Sequence, residues 1–226
     1  MILCDHASRH VPGELDNLGL APADLDRHIA WDIGAAGIAE NLSELLDSPA
    51  ILCGTSRLVI DCNRRPDSAE LIPAVVHGTV VPGNRGVDAE SRRVRIERWF
   101  RPYHDAAESI LRERAASGAR PVVLAIHTMT EILDRQSRPW QIALSSYRDR
   151  RLLERVLAAL RTPGDLCVGD NEPYRVESRV DYSIPLHALS RGLEHLQVEF
   201  RQDLVAEPRS QRDWAIRFAR ALTAHP

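Results

Sequence analysis

An α/β fold with a largely parallel central sheet is what this sequence predicts, and three observations carry the prediction. Apolar runs of strand length alternate with amphipathic stretches of helix length through most of the 226 residues. The clearest run, 121–126 (Pro-Val-Val-Leu-Ala-Ile), is six residues without a charge, as a buried strand requires. Several of these runs end directly in polar residues, as strands do where a sheet opens onto a ligand crevice. There is no repeat, low-complexity tract or flexible linker, so one domain over residues 1–226 is expected.

The elements follow in order. Residues 1–4 form a short strand cut off by Asp5. Residues 24–47 read as one helix, with Ile29, Ile33, Ala36, Ile38, Leu42, Leu45 and Leu46 at helical spacing. Residues 50–53 and 57–62 read as strands joined by a turn at Gly54-Thr55-Ser56. Pro and Gly punctuate 70–86, which must be loop. Residues 88–117 form a long helix bent near Pro102 and closed by Gly118 as C-cap. Strands at 121–126 and 141–145 precede an amphipathic helix at 149–161. A strand at 165–168, a loop at 169–180 and a short helix at 184–191 ended by Gly192 come next. The strand 195–200 carries a carboxylate, and a terminal helix at 209–223 turns Trp214, Ile216, Phe218 and Leu222 to the core.

Composition narrows the function. Hydrophobic residues make up 44% and charged residues 27%, which excludes a disordered or fibrous chain. The net charge of −3 gives no global pull towards nucleic acid or membrane. No apolar run approaches the roughly 20 residues that span a bilayer, and the first residues lack a secretory pattern, so a cytoplasmic location is expected. The four cysteines (Cys4, Cys53, Cys62, Cys167) form no C-x-x-C pair, which removes zinc knuckles and thioredoxin chemistry. All 29 basic residues are arginine. A lysine Schiff base and a P-loop lysine are therefore excluded.

In parallel sheets, ligands bind beyond the carboxyl ends of strands. That rule selects Asp5-His6, the stretch Asp61 to Arg64, His127 and Glu199 to Arg201. Two histidines, a carboxylate and an open position suit a catalytic zinc ion, although a strand-end histidine can equally serve its own strand locally. Glu199 interrupts an apolar run and could act as a general base, or simply pair with Arg201. Asn63-Arg64 could grip a carboxylate, or lie in a solvated turn before Pro66.

At this point the residues resemble a family. Asp5-His6-Ala7-Ser8-Arg9-His10-Val11-Pro12 is similar to the N-terminal signature of the N-formylglutamate amidohydrolases. The likeness continues through 28–35 (His-Ile-Ala-Trp-Asp-Ile-Gly-Ala), Asp61-Cys62-Asn63-Arg64, Arg101-Pro102-Tyr103-His104 and His127-Thr128-Met129. Asp170-Asn171-Glu172-Pro173-Tyr174, 181–184 and 198–204 complete it, in the family's order.

The resemblance implies a zinc-exopeptidase (phosphorylase/hydrolase)-like fold: a mixed, mostly parallel sheet between helices. It implies hydrolysis of the amide of a small anionic N-acyl amino acid such as N-formylglutamate. By the same resemblance His6 and His127 are metal ligands for zinc, Asn63-Arg64 holds a substrate carboxylate, and Glu199 is the catalytic glutamate. Water would attack a zinc-polarised carbonyl while Glu199 carries the proton to the leaving amine.

Carboxypeptidases place a glutamate three residues after the first histidine, where this chain has Arg9. Asp32 is the preferred third ligand, with Asp5 and His10 behind it. The acidic residue often found two positions before the second histidine is Ala125 here, which removes an expected partner of that imidazole. Tyr174, His104 and Arg201 complete the candidates for substrate contact. The other readings are a carboxypeptidase- or deacylase-like hydrolase of another amide, and an inert carboxylate-binding relative. No nucleic-acid or membrane partner is expected.

Overall fold

The computed structural model describes residues 1–133 and 135–224. Six strands form the central sheet: β1 (Ile2–Cys4), β2 (Ala50–Leu52), β3 (Val123–Met129), β4 (Ile142–Ser145), β5 (Val168–Asp170) and β6 (His195–Arg201). Their spatial order is β2-β1-β3-β6-β4-β5. Every neighbouring pair is parallel except β6 with β4, so the sheet is mixed and mostly parallel as expected.

Helices cover both faces: α1 (Ala35–Leu46), α2 (Ala89–Arg95), α3 (Arg101–Ala116), α4 (Arg151–Arg161), α5 (Ser183–His187) and α6 (Pro208–Thr223). Strand alternation sorts the side chains between two cores. Ile2, Cys4, Leu124, Ile126, Leu196, Val198 and Phe200 belong to one core, with residues from α1, α4 and α6. Leu3, Val123 and Ala125 belong to the other, with Tyr103, Ala107 and Leu111 of α3. Among the described residues, no helix is long and apolar enough to cross a membrane.

Three expectations are corrected. The helix expected over 24–47 is a single turn at Pro22–Leu25, an irregular stretch, and then α1. Gly34 stands at the break with φ +86°, and a Cβ there would lie 2.4 Å from the Val205 carbonyl oxygen. Only glycine fits that approach, and the unwound stretch before it carries Asp32. The strand expected over 57–62 is a series of turns. Leu58, Val59 and Ile60 are all fully buried, a run of three that alternation does not give. Ser56 organises them, its hydroxyl donating to the Ala30 carbonyl at 2.7 Å and accepting from the Leu58 N–H at 3.1 Å. The long helix bends earlier than expected, through a π turn at Ile96–Phe100. Pro102 has no N–H for the preceding turn, and the chain widens there. Within the expected loop over 70–86, Val75–Val76 pairs with Thr79–Val80 as a small hairpin.

Candidate active site

The strand ends and two irregular segments build one buried polar cluster. Asp5 and His6 follow β1 directly. His127 lies near the carboxyl end of β3, in register with Glu199 on β6. Asp32 reaches in from the unwound stretch before α1, pinned by its N–H donating to the His6 carbonyl at 3.0 Å. Asp61 comes from the turns after Ile60. All six side chains are buried.

Asp32 sits between the two imidazoles. Its Oδ2 is 3.3 Å from His6 Nδ1 and 2.9 Å from His127 Nδ1. The other ring nitrogens face carboxylates from behind. His6 Nε2 is 2.8 Å from Asp61 Oδ1, and His127 Nε2 is 3.3 Å from Asp5 Oδ2. Asp5 is held in turn by the hydroxyls of Tyr103 and Ser183. Arg57 closes the group, donating from Nη2 and Nε to Asp61 Oδ2 at 2.7 and 3.1 Å.

Burial opposes charge on every member, but the partners prevail. The Asp61 and Asp32 carboxylates hold the His6 imidazolium above its ordinary range against burial and Arg57. Asp32 and Asp5 hold His127 well above it against burial. Despite burial, the two histidines keep Asp32 below the usual carboxylate range, and chiefly His127 takes Asp5 down to about 2. Glu199 behaves differently. Burial pushes its carboxyl up to about 7, and its Oε1 accepts from Gln197, at 3.2 Å.

His6, Asp32 and His127 offer ligand atoms within 4.8 Å of one another and could hold a metal ion. The donor set fits. The 2.9–3.3 Å spacings match the edge, about 3.3 Å, of a tetrahedron with zinc-like bonds. Each ring presents one nitrogen to the shared point; the other is hydrogen-bonded to Asp61 in His6 and faces Asp5 at 3.3 Å in His127. Three ionised aspartates against one guanidinium leave two negative charges, which the two imidazolium protons match. One divalent cation with two neutral imidazoles would match the same charge.

The cluster opens into a cavity of about 480 Å³ whose wall includes His6, Asp32, His127, Gln197, Glu199 and Arg64. A second lobe of about 290 Å³ shares Asp32, Arg57, Arg64 and Tyr174 and adds Arg138 and His28.

Of the expected substrate contacts, Arg64 and Tyr174 line both lobes. Arg64 donates to Glu70 Oε2 at 3.0 Å and to the Asn63 carbonyl at 3.1 Å. Asn63 lines the larger lobe, but its amide is occupied. It donates to Asp181 at 3.0 Å and accepts from the N–H groups of Tyr182 and Ser183. The structure does not bring His104 or Arg201 to the cavity wall. His104 is buried behind the cluster, between the Cys62 carbonyl and His187. Arg201 turns to Asp203, at 2.8 and 3.1 Å.

The sequence reading passed over Arg57, Arg138 and Gln197. It also expected Ala125 to leave the second histidine without a carboxylate, whereas Asp5 supplies one from the neighbouring strand. Gln197 was legible as a same-face neighbour of Glu199 on β6. Arg57 and Arg138 stand in irregular segments with no periodic signal.

The chain is similar to proteins of known structure. No curated protein matches the chain significantly. A solved structure of a gene product from Agrobacterium tumefaciens is 34% identical, with a TM-score of 0.94 over 98% of this chain and 88% of that one. The crystal structure of N-formylglutamate amidohydrolase from Ralstonia eutropha JMP134 shares the fold. Its TM-score is 0.71 at 21% identity, over 98% of this chain and 92% of that one. The family model for N-formylglutamate amidohydrolase matches residues 1–206, a span that takes in every residue of the buried cluster, and this chain is a member of that amidohydrolase family.

Proposed function

We propose that this amidohydrolase cleaves the amide of an N-formyl or N-acyl amino acid such as N-formylglutamate. The observation that carries this reading is one cavity wall with His6, Asp32, His127, Glu199 and Arg64 on it. His6, Asp32 and His127 would hold a divalent cation, zinc by the chemistry of the set, which when bound polarises a carbonyl and acidifies water.

The chain's own groups do the rest. Glu199, its carboxylate accepting from the Gln197 amide, takes a proton from the attacking water and returns it to the leaving nitrogen. A carboxyl poised near 7 suits both halves of that task. Arg64 exchanges its exposed partner Glu70 for the α-carboxylate of the substrate, fixing the amide against the cluster. Tyr174 accepts from Arg138 Nη2 at 2.7 Å, so its own proton is free to donate to the oxygen that gains charge.

The experiment is metal analysis of the purified protein together with formate release from N-formylglutamate. About one divalent metal per chain and formate release are expected. A metal-free protein that stays inactive after zinc is restored would overturn the reading.

A further inference from the structure

The carboxamide of Gln197 has one polar end in use and one end open. Gln197 is 5% exposed and stands on the wall of the larger lobe with Glu199, His6 and His127. Its Nε2 lies 3.2 Å from Glu199 Oε1. An ionised carboxylate only accepts, so this contact fixes which end of the amide is the nitrogen. Among the described residues nothing donates to the other end, Oε1. Its neighbours on the two adjoining strands account for that. Ala125 faces it from β3 and has no polar side-chain atom. Ser145 faces it from β4, but its hydroxyl donates to the Tyr174 carbonyl at 2.6 Å. A buried carbonyl oxygen without a donor costs free energy, and a ligand that brings a donor removes the cost.

The chemistry of the reaction says which donor that is. Around its reacting bond an N-acyl amino acid carries acceptors in its acyl carbonyl and its α-carboxylate, and one donor, the amide N–H. The carbonyl belongs against the His/Asp cluster and the carboxylate on Arg64. The N–H is left, and Gln197 Oε1 is an open acceptor beside Glu199. The contact also strengthens along the reaction. Once water has added to the carbonyl carbon, the nitrogen takes the proton from Glu199. The C–N bond then breaks with its electron pair left on that nitrogen. Positive charge gathers on the nitrogen before the break, so its N–H is a better donor in the transition state than in the bound substrate.

We propose that Gln197 contacts the substrate and reads its amide N–H. Its Nε2 holds the Glu199 carboxylate while its Oε1 accepts from the scissile nitrogen. One side chain thus aligns the proton donor with the atom that receives the proton. The enzyme thereby selects secondary amides over esters of the same shape. This rests on the amidohydrolase reading above.

The test sets N-formylglutamate against its ester analogue, 2-formyloxyglutarate, in which oxygen replaces the N–H at nearly the same size. Formate release is measured on the metal-loaded enzyme and corrected for spontaneous hydrolysis. The two compounds differ in intrinsic reactivity, so the quantity read is the change in their kcat/KM ratio between enzymes. Gln197→Met keeps the length and removes both polar ends. It should lower the amide-to-ester ratio by about 10–100-fold, the range of a hydrogen bond to a charged group. Gln197→Glu also disturbs Glu199 but keeps an acceptor oxygen. It should slow both substrates and hold the ratio within about threefold of the wild type. A Q197M ratio equal to that of the wild type would overturn the proposal. A Q197E ratio that falls as far as that of Q197M would trace the effect to Glu199 and overturn it as well. Turnover of neither compound by the wild type would sink the reaction class instead. Calorimetric binding of the two compounds to wild type and Q197M would then decide Gln197: the amide alone should lose affinity in the variant, and equal losses would reject its role.

Discussion

The two faces of the sheet make opposite use of the same three strands. On one, β1, β3 and β6 present Ile2, Cys4, Leu124, Ile126, Leu196, Val198 and Phe200 to α1, α4 and α6. On the other, β1 and β3 start apolar, with Leu3, Val123 and Ala125, and become polar towards their carboxyl ends with Asp5 and His127, beside Gln197 and Glu199 of β6. Period-two alternation lets neighbouring residues serve stability and chemistry independently. Phe200 rests on Trp214 and Phe218, its ring 6.0 and 5.9 Å from theirs, while Glu199 lines the cavity.

That contrast can be broken from either side. Glu199→Gln should lower kcat by about 10²–10⁴-fold, the usual value of a general base. Its melting temperature should hold or rise, because a buried carboxyl with one amide partner becomes neutral. A clear loss of stability would mean that Glu199 is structural. Phe200→Ala, one residue along and on the other face, should cost about 3–5 kcal/mol in denaturant unfolding. Turnover per folded molecule should stay within a few-fold, and a collapse in kcat would show that the faces are coupled.

The third prediction sharpens the comparison at the depth between cavity and core. His104 Nε2 is 3.0 Å from the Cys62 carbonyl, so it carries the hydrogen there, and Nδ1 accepts from His187 Nε2 at 2.9 Å. His187 Nδ1 is left buried without a partner. Burial lowers both histidines to about 4. The unfolded chain takes up these protons near pH 6.5, whereas the folded protein waits until about pH 4. The pair's contribution is therefore complete above about pH 6.5 and is lost as the pH falls towards 4. His187→Leu should cost about 1 kcal/mol at neutral pH through the broken hydrogen bond. It should also flatten the acid side of the stability curve measured from pH 7 to 4. An unchanged acid limb would show that His187 does not titrate in this way.

What was legible in the sequence follows from the same alternation. The runs at 121–126 and 195–200 announced the central strands because burial on both faces excludes charge from one and restricts it to one side of the other. The strand-end rule then selected Asp5-His6, His127 and Glu199 without any structure. Asp32 was harder. Its neighbours have helical spacing, and only the close approach of Gly34 to Val205, a contact between residues 171 positions apart, unwinds the chain there. Leu58, Val59 and Ile60 misled for a related reason, since their burial comes from the segments packed around them. Arg138 had no signal at all. It stands in an irregular segment where no period marks which side chains face the cavity.

The strand order has a consequence for how the protein is made. β1 lies between β2 and β3, and β3 pairs on its other side with β6, so residues 2–4 sit one strand away from residues 195–201. Closing such loops costs chain entropy before any contact rewards it, which makes assembly slow and non-local. During synthesis β1 emerges first, yet its neighbour β3 appears more than a hundred residues later and β6 later still. No early fragment can therefore assemble the pocket: β1 gains its second neighbour only with β3, and β3 gains its own only with β6. The polar wall that joins Asp5, His6 and His127 to Glu199 exists only once β6 has docked on β3.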